Sequence, residues 1–296
     1  MIQFFARVVE LREEKYVTYD GKITMDSPSR EFLEVTHKIF HKGRLYMSIF
    51  AMGDLHLSTN QKTNKSMEVF GKRWQGYMDK IKKNWEAVVS ENDTVIIPGD
   101  ISWAMNLDEA LEDFLFLESL PGQKLIGKGN HDFWWTTNQK MLRFFEEHGI
   151  KSLHILNNNA YIVENHIICG TRGWFLDEKQ QVAVGTVDYA KIVNREVIRL
   201  KLSMDEAVKL RREEEAASGR VLPIVVFLHF PPVWLDFICR EFVDVLHEYG
   251  IIDCYFGHIH GMYHHPRSFE FEGITLTLCA SDFLDFTLMP IVLPSP

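Results

Sequence analysis

Short apolar runs alternate with helix-length amphipathic segments along the first half of the chain. The runs at 47–52, 94–98 and 124–126 have the length of buried strands. The segments between them repeat apolar residues at three-to-four spacing, and the first carries an aromatic stripe: Trp74, Tyr77, Met78, Ile81, Trp85 and Val88. This alternation predicts an α/β fold in which parallel strands are flanked by helices.

Two further helices have recognisable ends. Asn106 and Glu109 form a cap pair, which predicts a helix from there to about Leu120. The next helix is predicted over about 137–148 and stops at Gly149, since glycine commonly ends helices.

The second half of the chain has a different pattern. Segments 161–163 and 166–169 predict a strand pair, 223–228 and 253–256 predict buried strands, and 268–278 alternates like antiparallel strands. The stretch from Asp188 to Ser218 is highly charged and predicted to be helical, with Ser203 and Glu206 as a capping box between two helices. We interpret this stretch either as a solvated helical face or as a cap over a site.

Residues 1–46 mix charged and aromatic residues without a sustained period and hold no cluster of candidate ligands. The first strand starts at Met47, so we interpret 1–46 as an N-terminal extension and 47–296 as the folded domain, with a helical insertion at about 186–219. Our first expectation is that the native protein starts at Met47 and that residues 1–46 come from an upstream start codon. A genuine arm or hairpin is the alternative.

Composition narrows the class of protein. Hydrophobic residues make up 46% of the 296 residues, and the net charge of -9 gives no electrostatic reason to expect nucleic acid. The four cysteines form no CxxC pair, and no apolar run approaches the roughly 18 residues of a membrane span. The N-terminus has no secretion signal, so a soluble cytoplasmic protein with reduced thiols is predicted.

Residues suited to metal binding follow five of the apolar runs. Asp54 and His56 come directly after the first run, and residues two apart on an extended backbone face the same side. The other runs end in Asp100, in Asn130 with His131, in His229, and in His258 with His260. Ligands of open α/β sheets gather at the carboxyl ends of strands. Carboxylate, amide and imidazole groups suit Mn, Fe and Zn, and this set is about large enough for two ions.

A glycine directly precedes four of these residues: Asp54, Asp100, Asn130 and His258. Glycine suits turns in which the backbone must approach a ligand closely. We therefore expect tight backbone approaches around the predicted metal site.

Taken in order, Gly-Asp-x-His, Gly-Asp, Gly-Asn-His-Asp, His and Gly-His-x-His resemble the motif blocks of the calcineurin-like metallophosphoesterases over about 47–280. The resemblance implies a four-layer α/β/β/α sandwich of two mixed sheets with a dinuclear metal centre between them. It implies two divalent ions, with Mn favoured over Fe or Zn. The implied ligands are Asp54, His56 and His260 for the first ion, Asn130, His229 and His258 for the second, and Asp100 as the bridge.

The same resemblance implies hydrolysis of a phosphate ester by a hydroxide that bridges the two ions. His131 resembles the family's second-sphere histidine, which contacts the phosphate and is proposed to protonate the leaving group, with Asp132 orienting it. Arg172 lies between two glycine-bearing turns and is a candidate to grip the substrate phosphate. A structural salt bridge is an equal alternative for Arg172.

Two pairs of residues near the motifs are given no role at the site. Trp134 and Trp135 are interpreted as core packing in preference to a stacking platform for a base. His264 and His265 are interpreted as loop histidines at the rim.

The substrate is left open between several classes. The Gly-Asn-His-Asp form looks more like the bacterial phosphodiesterase and general phosphohydrolase branches than the protein serine/threonine phosphatases, so a small phosphodiester or nucleotide-like substrate is the first expectation. A protein serine/threonine phosphatase or phosphomonoesterase is the alternative, and neither a nucleic acid nor a membrane is expected as a partner. Outside the enzymes, a metal-binding scaffold is the alternative, and the presence of every expected ligand argues against it. No pattern addresses the oligomeric state.

Overall fold

The computed structural model describes residues 17–19, 22–24, 48–60, 65–174 and 189–291. Strands β1 (Val17–Tyr19) and β2 (Lys22–Thr24) pair antiparallel with each other. The rest of the extension over 1–46 and the suggested start at Met47 lie outside the described residues, and the origin of the extension stays a prediction.

The first sheet is built on four parallel strands joined by helices. In chain order these elements are β3 (Ile49–Ala51), α1 (Tyr77–Val88), β4 (Thr94–Ile97), α2 (Leu107–Glu118), β5 (Gln123–Ile126), α3 (Asn138–Glu147) and β6 (Leu153–Ile155). The strands lie side by side in that order, each parallel to the next. Every residue of β3 and β4 is buried, and this explains why the sequence shows continuous apolar runs there instead of alternation.

The second sheet contains six strands. Its elements begin with β7 (Ala160–Val163), β8 (His166–Thr171), α4 (Tyr189–Ser218) and β9 (Ile224–Leu228). After a short pair, β10 (Val233–Trp234) with β11 (Phe237–Ile238), come α5 (Arg240–Glu248), β12 (Asp253–Phe256), β13 (Ser268–Phe271) and β14 (Ile274–Leu278). The order is β13-β14-β12-β9-β8-β7, with the four inner strands parallel and both edge strands antiparallel. Strand β15 (Met289–Pro290) returns to pair antiparallel with β3, so both sheets are mixed.

Three apolar clusters separate four layers. One cluster lies between the first sheet and helices α1 to α3, and another lies between the second sheet and helices α4 and α5. The third fills the space between the sheets. Strand β4 shows the alternation, because Val95 and Ile97 belong to the first cluster while Ile96 belongs to the third. The predicted α/β/β/α sandwich is confirmed.

A backbone bridge joins the carboxyl ends of β3 and β14. The Gly53 N–H donates to the Cys279 carbonyl at 2.7 Å, and the Ser281 N–H donates to the Gly53 carbonyl at 2.9 Å. Gly53 and Ala280 therefore form a parallel bridge between strands of different sheets. This bridge fixes the two sheets against each other at the end where the predicted ligands lie.

Local signals gave most helix ends correctly. The Asn106 side chain accepts from the Glu109 N–H at 3.0 Å, and the Glu109 carboxylate accepts from the Met105 N–H at 2.9 Å, so the predicted cap pair is present. Helix α1 begins later than its aromatic stripe, because Gly76 adopts a left-handed φ of 61°. Trp74 consequently lies in a separate 3₁₀ turn, although it is still buried.

The prediction of two helices around Ser203 is wrong. Helix α4 runs unbroken over 30 residues and packs on β7 and β8 as an outer layer of the sandwich. Ser203 lies inside it and is fully buried, where its hydroxyl accepts from the Gly170 N–H at 2.8 Å and donates to the Asn159 carbonyl at 2.7 Å. The serine that resembled a cap therefore bonds to the backbone of a neighbouring strand and loop.

Candidate metal centre

The seven predicted metal ligands all follow strands at one end of the sandwich. Asp54 and His56 follow β3, Asp100 follows β4, and Asn130 follows β5 in the first sheet. His229 follows β9, and His258 and His260 follow β12 in the second sheet. Because these strands are central neighbours in their sheets, their carboxyl ends meet in one crevice.

Four of these residues have an unusual backbone. Positive φ angles occur at Asp54 (56°), His56 (46°), Asp100 (51°) and His258 (69°). Each non-glycine residue in this region costs of order 1–3 kcal/mol and persists only where the surroundings hold it. The turns after three strands are therefore held in strained conformations that direct carboxylate and imidazole groups inwards.

Two glycines permit close approach to the carboxylates. A Cβ on Gly129 would lie 2.0 Å from Oδ1 of Asp100, and a Cβ on Gly257 would lie 2.3 Å from Oδ2 of Asp54. No side chain fits at either distance. The tight approaches expected from the glycine pattern are present.

The first cluster of ligand atoms comprises Asp54, His56 and His260 and is called here the Asp54 group. Its ligand atoms all lie within 4.8 Å of one another. Nε2 of His56 lies 3.1 Å from Nε2 of His260, and Nε2 of His260 lies 3.7 Å from Oδ1 of Asp54. Two imidazole nitrogens and a carboxylate oxygen thus converge on one point.

The second cluster comprises Asp100, His229 and His258 and is called here the Asp100 group. Its ligand atoms also lie within 4.8 Å of one another. The amide oxygen of Asn130 lies 2.8 Å from Nε2 of His229, so this neutral oxygen joins the same cluster.

Asp100 lies between the two groups. Its Oδ2 atom is 3.6 Å from Nε2 of His56 and 3.5 Å from Nε2 of His229. One carboxylate oxygen is therefore almost equidistant from a histidine of each group. This is the position required of a bridging ligand.

The protonation of these residues fits divalent cations. Burial, followed by the nearby histidines, lowers the pKa of His56 and His229 well below the usual range, so both imidazoles are neutral and offer a lone pair. Burial raises the pKa of Asp54 to about 7 and that of Asp100 well above its usual value. Cations would offset the charge of these buried carboxylates. The donor set of carboxylate, amide oxygen and imidazole suits Mn, Fe or Zn.

Sequence reasoning missed Asp282, which supports His260 from outside. Its carboxylate accepts from Nδ1 of His260 at 2.8 Å, from the Gly261 N–H at 3.1 Å and from the Tyr263 hydroxyl at 2.9 Å. Burial lowers the pKa of His260, but the bond to Asp282 and the nearby carboxylates outweigh burial and the net shift is upward. Asp282 follows β14, so the same strand-end rule that found the ligands could have found it.

Asp132 accepts hydrogen bonds from the backbone around Asp100. Its carboxylate accepts from the N–H groups of Asp100 at 2.9 Å, Ile101 at 2.8 Å and Gly129 at 2.7 Å, and from the Trp134 indole at 3.1 Å. Within the described chain it makes no hydrogen bond to the His131 ring. Its oxygens hold the turn that carries Asp100, and an orienting role toward His131 stays a prediction.

His131 lines the crevice beside the two groups. Its N–H donates to Oδ1 of Asp100 at 2.8 Å, and its ring centroid lies 5.6 Å from that of His56. Burial lowers its pKa, with further contributions from His260 and Lys65. The imidazole is therefore close to the metal ligands without being one of the two groups.

Arg172 takes the ion-pair alternative in this structure. Its Nη2 lies 3.0 Å from Oε1 of the fully buried Glu196, which also pairs with Arg199 at 2.6 Å. Its guanidinium carbon lies 5.1 Å from the ring centroid of Trp174. These contacts anchor the end of β8 to α4, and a contact with substrate stays a prediction.

The remaining residues considered from the sequence lie outside both groups. Trp134 is 2% exposed and packs in the first core cluster with Trp135 at its edge, which agrees with the core interpretation. His264 is exposed, and the ring of His265 lies 5.7 Å from that of Trp234.

A cleft of about 350 Å³ opens over the centre. Its floor includes His56, Asp100, His258 and His260, and His131 lies at its side. Five further lining residues are apolar or aromatic and are called here the aromatic wall: Met67, Phe70, Trp74, Trp103 and Tyr263. Phe70 is 68% exposed at the lip. Sequence reasoning missed this wall, apart from interpreting Trp74 as core, because its members come from several loops.

The fold and the site define a class: α/β/β/α sandwiches with a pair of metal-capable ligand groups at the carboxyl ends of their central strands. The family model of the calcineurin-like phosphoesterases matches residues 47–262. The chain belongs to this family, and a metal-dependent phosphoesterase is the function that the family and the two ligand groups support.

Two solved structures are similar to the chain. A protein of unknown function from Aquifex aeolicus is 15% identical, with 83% of this chain and 96% of that chain covered and a TM-score of 0.38. A protein from Thermus thermophilus is 10% identical, with 82% and 97% covered and a TM-score of 0.45. A search of curated proteins found no match. Among the described residues, none of the helices combines the length and the hydropathy that a membrane crossing requires.

Proposed function

We propose that the chain hydrolyses a small phosphodiester at a centre of two divalent cations, with Mn as the first choice. In this proposal the Asp54 group would hold one ion, and His229 and His258 would hold the other together with Asn130. Asp100 would be shared between the two ions. The observation that carries the proposal is the position of Asp100 Oδ2, which lies 3.6 Å from one histidine and 3.5 Å from the other.

The cations, when bound, lower the pKa of water and offset the charge of phosphoryl oxygens. The chain's own residues have distinct tasks. Asp54 and Asp100 supply the negative charge that retains the ions, while Asn130 supplies a neutral oxygen and so limits repulsion of a phosphate. His131 lies beside the cleft floor, where its imidazole can give a proton to the departing oxygen.

The aromatic wall supports an ester with an apolar or ring-bearing group, such as a nucleotide-like diester. Phe70 and Trp103 line the cleft, and ring stacking favours planar groups. The net charge of -9 gives no general attraction for a polynucleotide, so a small substrate is favoured over a nucleic acid. We assign the protein to the cytoplasm, which agrees with four free and buried cysteines.

The test is turnover of bis-p-nitrophenyl phosphate against p-nitrophenyl phosphate, with Mn²⁺ and after chelation. Asp100→Asn is the reference variant and is expected to be inactive. Asp93→Asn is the matched control, because Asp93 is also buried but lies at the amino end of β4. We expect metal-dependent cleavage of the diester by the wild type and by the control.

Preference for the monoester would replace this proposal with a phosphatase, either of small monoesters or of phosphoserine and phosphothreonine in proteins. Two bound ions with no turnover of either ester would favour a metal-binding scaffold. Equal activity of Asp100→Asn and wild type would contradict the bridging role.

A further inference from the structure

The imidazole of His131 is held by ring contacts. Its backbone is fixed, since its N–H donates to Asp100 Oδ1 at 2.8 Å and its carbonyl accepts from the Phe133 N–H at 2.9 Å. For the ring itself, the described residues provide no hydrogen-bond partner. Its nearest ring neighbour is Trp103, with centroids 4.4 Å apart and planes at 50°.

Trp103 contacts a second residue of the site at the same time. Its indole stacks on His56 with centroids 4.8 Å apart and an interplanar angle of 23°. One indole therefore fixes the spacing between a proposed metal ligand and the proposed proton donor, whose own centroids are 5.6 Å apart.

The base of Trp103 is rigid. Its backbone N–H donates to the Leu57 carbonyl at 3.1 Å, and its neighbour Ser102 forms a parallel bridge with Leu57. The Ser102 hydroxyl donates to the buried Asp113 of α2. The backbone of Trp103 is thus attached to the turns after β3 and β4 and, through Ser102, to a helix, so the indole that contacts His56 and His131 extends from an anchored backbone.

We propose that Trp103 is the positioning residue that holds His131 in the orientation for proton donation to the leaving group. This inference rests on the proposed function, in which His131 is the acid. It assigns to Trp103 the task that the sequence had suggested for Asp132. A carboxylate partner would occupy one ring nitrogen, whereas a stacked indole restricts rotation and leaves the nitrogens available to carry and give the proton.

Proton donation matters more as the leaving oxygen becomes more basic. Loss of the positioning surface should therefore harm the hydrolysis of a phenyl ester more than that of a nitrophenyl ester. A purely structural defect, or a loss of metal through His56, would lower both rates by the same factor. The ratio of the two rates separates these causes.

The experiment compares methyl phenyl phosphate with methyl p-nitrophenyl phosphate in the Mn²⁺-loaded full chain. Trp103→Ala should lower turnover of the phenyl ester by about tenfold more than turnover of the nitrophenyl ester. Trp103→Phe should restore most of this selective loss, because a ring face remains. Trp135→Ala, which removes a tryptophan of the core edge, should leave the ratio unchanged.

The His131→Ala variant and the variant that combines His131→Ala with Trp103→Ala complete a double-mutant cycle. If both residues act through one proton transfer, Trp103→Ala in the His131→Ala background should have little additional effect on the ratio. An equal fall on both esters in Trp103→Ala, or an additive double variant, would overturn the inference. A His131→Ala variant with an unchanged ratio would instead remove the acid role from the proposed function, and the Trp103 inference with it, while metal-dependent hydrolysis would stand.

A second readout needs no turnover. The Hε1 resonance of His131, assigned by its loss in His131→Ala, should be displaced by the ring current of Trp103 in the wild type. The displacement should disappear in Trp103→Ala and persist in part in Trp103→Phe. An unchanged resonance in Trp103→Ala would show that the indole does not hold this ring and would contradict the inference.

Discussion

The protein supports the two ligand groups differently from outside. In the Asp54 group, the outer nitrogen of His260 bonds to Asp282 at 2.8 Å, and the carbonyl of His56 accepts from the buried Tyr77 hydroxyl at 2.7 Å. In the Asp100 group, the His229 N–H donates to the Arg172 carbonyl. Within the described chain, Nδ1 of His229 has no hydrogen-bond partner, and neither has Nδ1 of His56, so the difference lies between His260 with its carboxylate and His229 without one.

The difference indicates unequal affinities for metal. A carboxylate on the outer nitrogen fixes the ring and raises its basicity, and removing such partners typically costs about 10–100-fold in metal affinity. We therefore expect the Asp54 group to hold its ion more tightly, and the ion of the Asp100 group to exchange first.

The largest effect is expected from a change that affects both ligand groups. Asp100→Asn removes the charge that both groups share, so we expect loss of metal from both and a fall in turnover of more than about 10⁴-fold, equivalent to roughly 5.5 kcal/mol. Metal content by mass spectrometry and steady-state kinetics check this. Asp93→Asn, with its buried carboxylate far from the centre, should keep both ions, and an Asp100→Asn protein that also keeps both would contradict the bridge.

A somewhat smaller effect is expected from substitution of His131, which should leave both ligand groups intact. His131→Asn or His131→Ala should retain two ions but lower turnover by roughly 10²–10⁴-fold, since only the proton donor is lost. Metal titration and turnover on the same preparations check this. Unchanged turnover would refute the acid role, and lost metal would place His131 among the ligands.

Asp282→Asn should remove the difference in metal affinity between the two groups. We expect affinity for the tighter ion to fall by about 10–100-fold, with little change for the weaker one. Calorimetric titration of metal-free protein with Mn²⁺ resolves the two steps. Asp285→Asn is the matched control, because Asp285 is 72% exposed and pairs with Arg73. A drop in the weaker step alone would reverse the assignment.

The stabilisation by Mn²⁺ should grow with pH. Burial raises the pKa of Asp54 to about 7 in the folded chain, so the stability that its proton supports is present at low pH and is lost as pH rises through that value. Burial also raises the pKa of Asp100, so its contribution to stability changes with pH in the same direction. Metal binding requires both carboxylates ionised, and the rise in Tm on adding Mn²⁺ should therefore increase between about pH 5 and about pH 8. A constant increment would contradict the role of these two carboxyls.

The smallest effect on chemistry is expected at Arg172. Its carbonyl supports His229, but its side chain pairs with Glu196, so Arg172→Ala should lower the free energy of unfolding by about 1–3 kcal/mol with little change in turnover. Denaturant unfolding and kinetics check this, with Arg195→Ala as the more exposed control. A large loss of turnover at unchanged stability would restore the phosphate-gripping role.

The sequence predicted the ligand residues that follow directly after strands. It missed the side-chain contacts that form between loops distant in sequence. Asp54, Asp100 and His229 each end an apolar run, so their convergence follows from sheet topology alone. Asp132 and Trp103 act through bonds and stacking between distant segments, and no local period encodes those partners. Asp282 was overlooked although it follows β14, where the strand-end rule applies. Ser203 misled because its motif also occurs inside a continuous helix, where the hydroxyl bonds to a neighbouring strand.

The bridge between Gly53 and Ala280 also has a dynamic consequence. Opening the sandwich at this end would break the bonds from Gly53 to Cys279 and from Ser281 to Gly53, directly beneath the centre. The amide hydrogens of Gly53 and Ser281 should then exchange with deuterium only when the whole domain unfolds. Substrate and ions would therefore enter a crevice with a rigid floor. Any conformational change that accommodates different esters would take place in the loops above it.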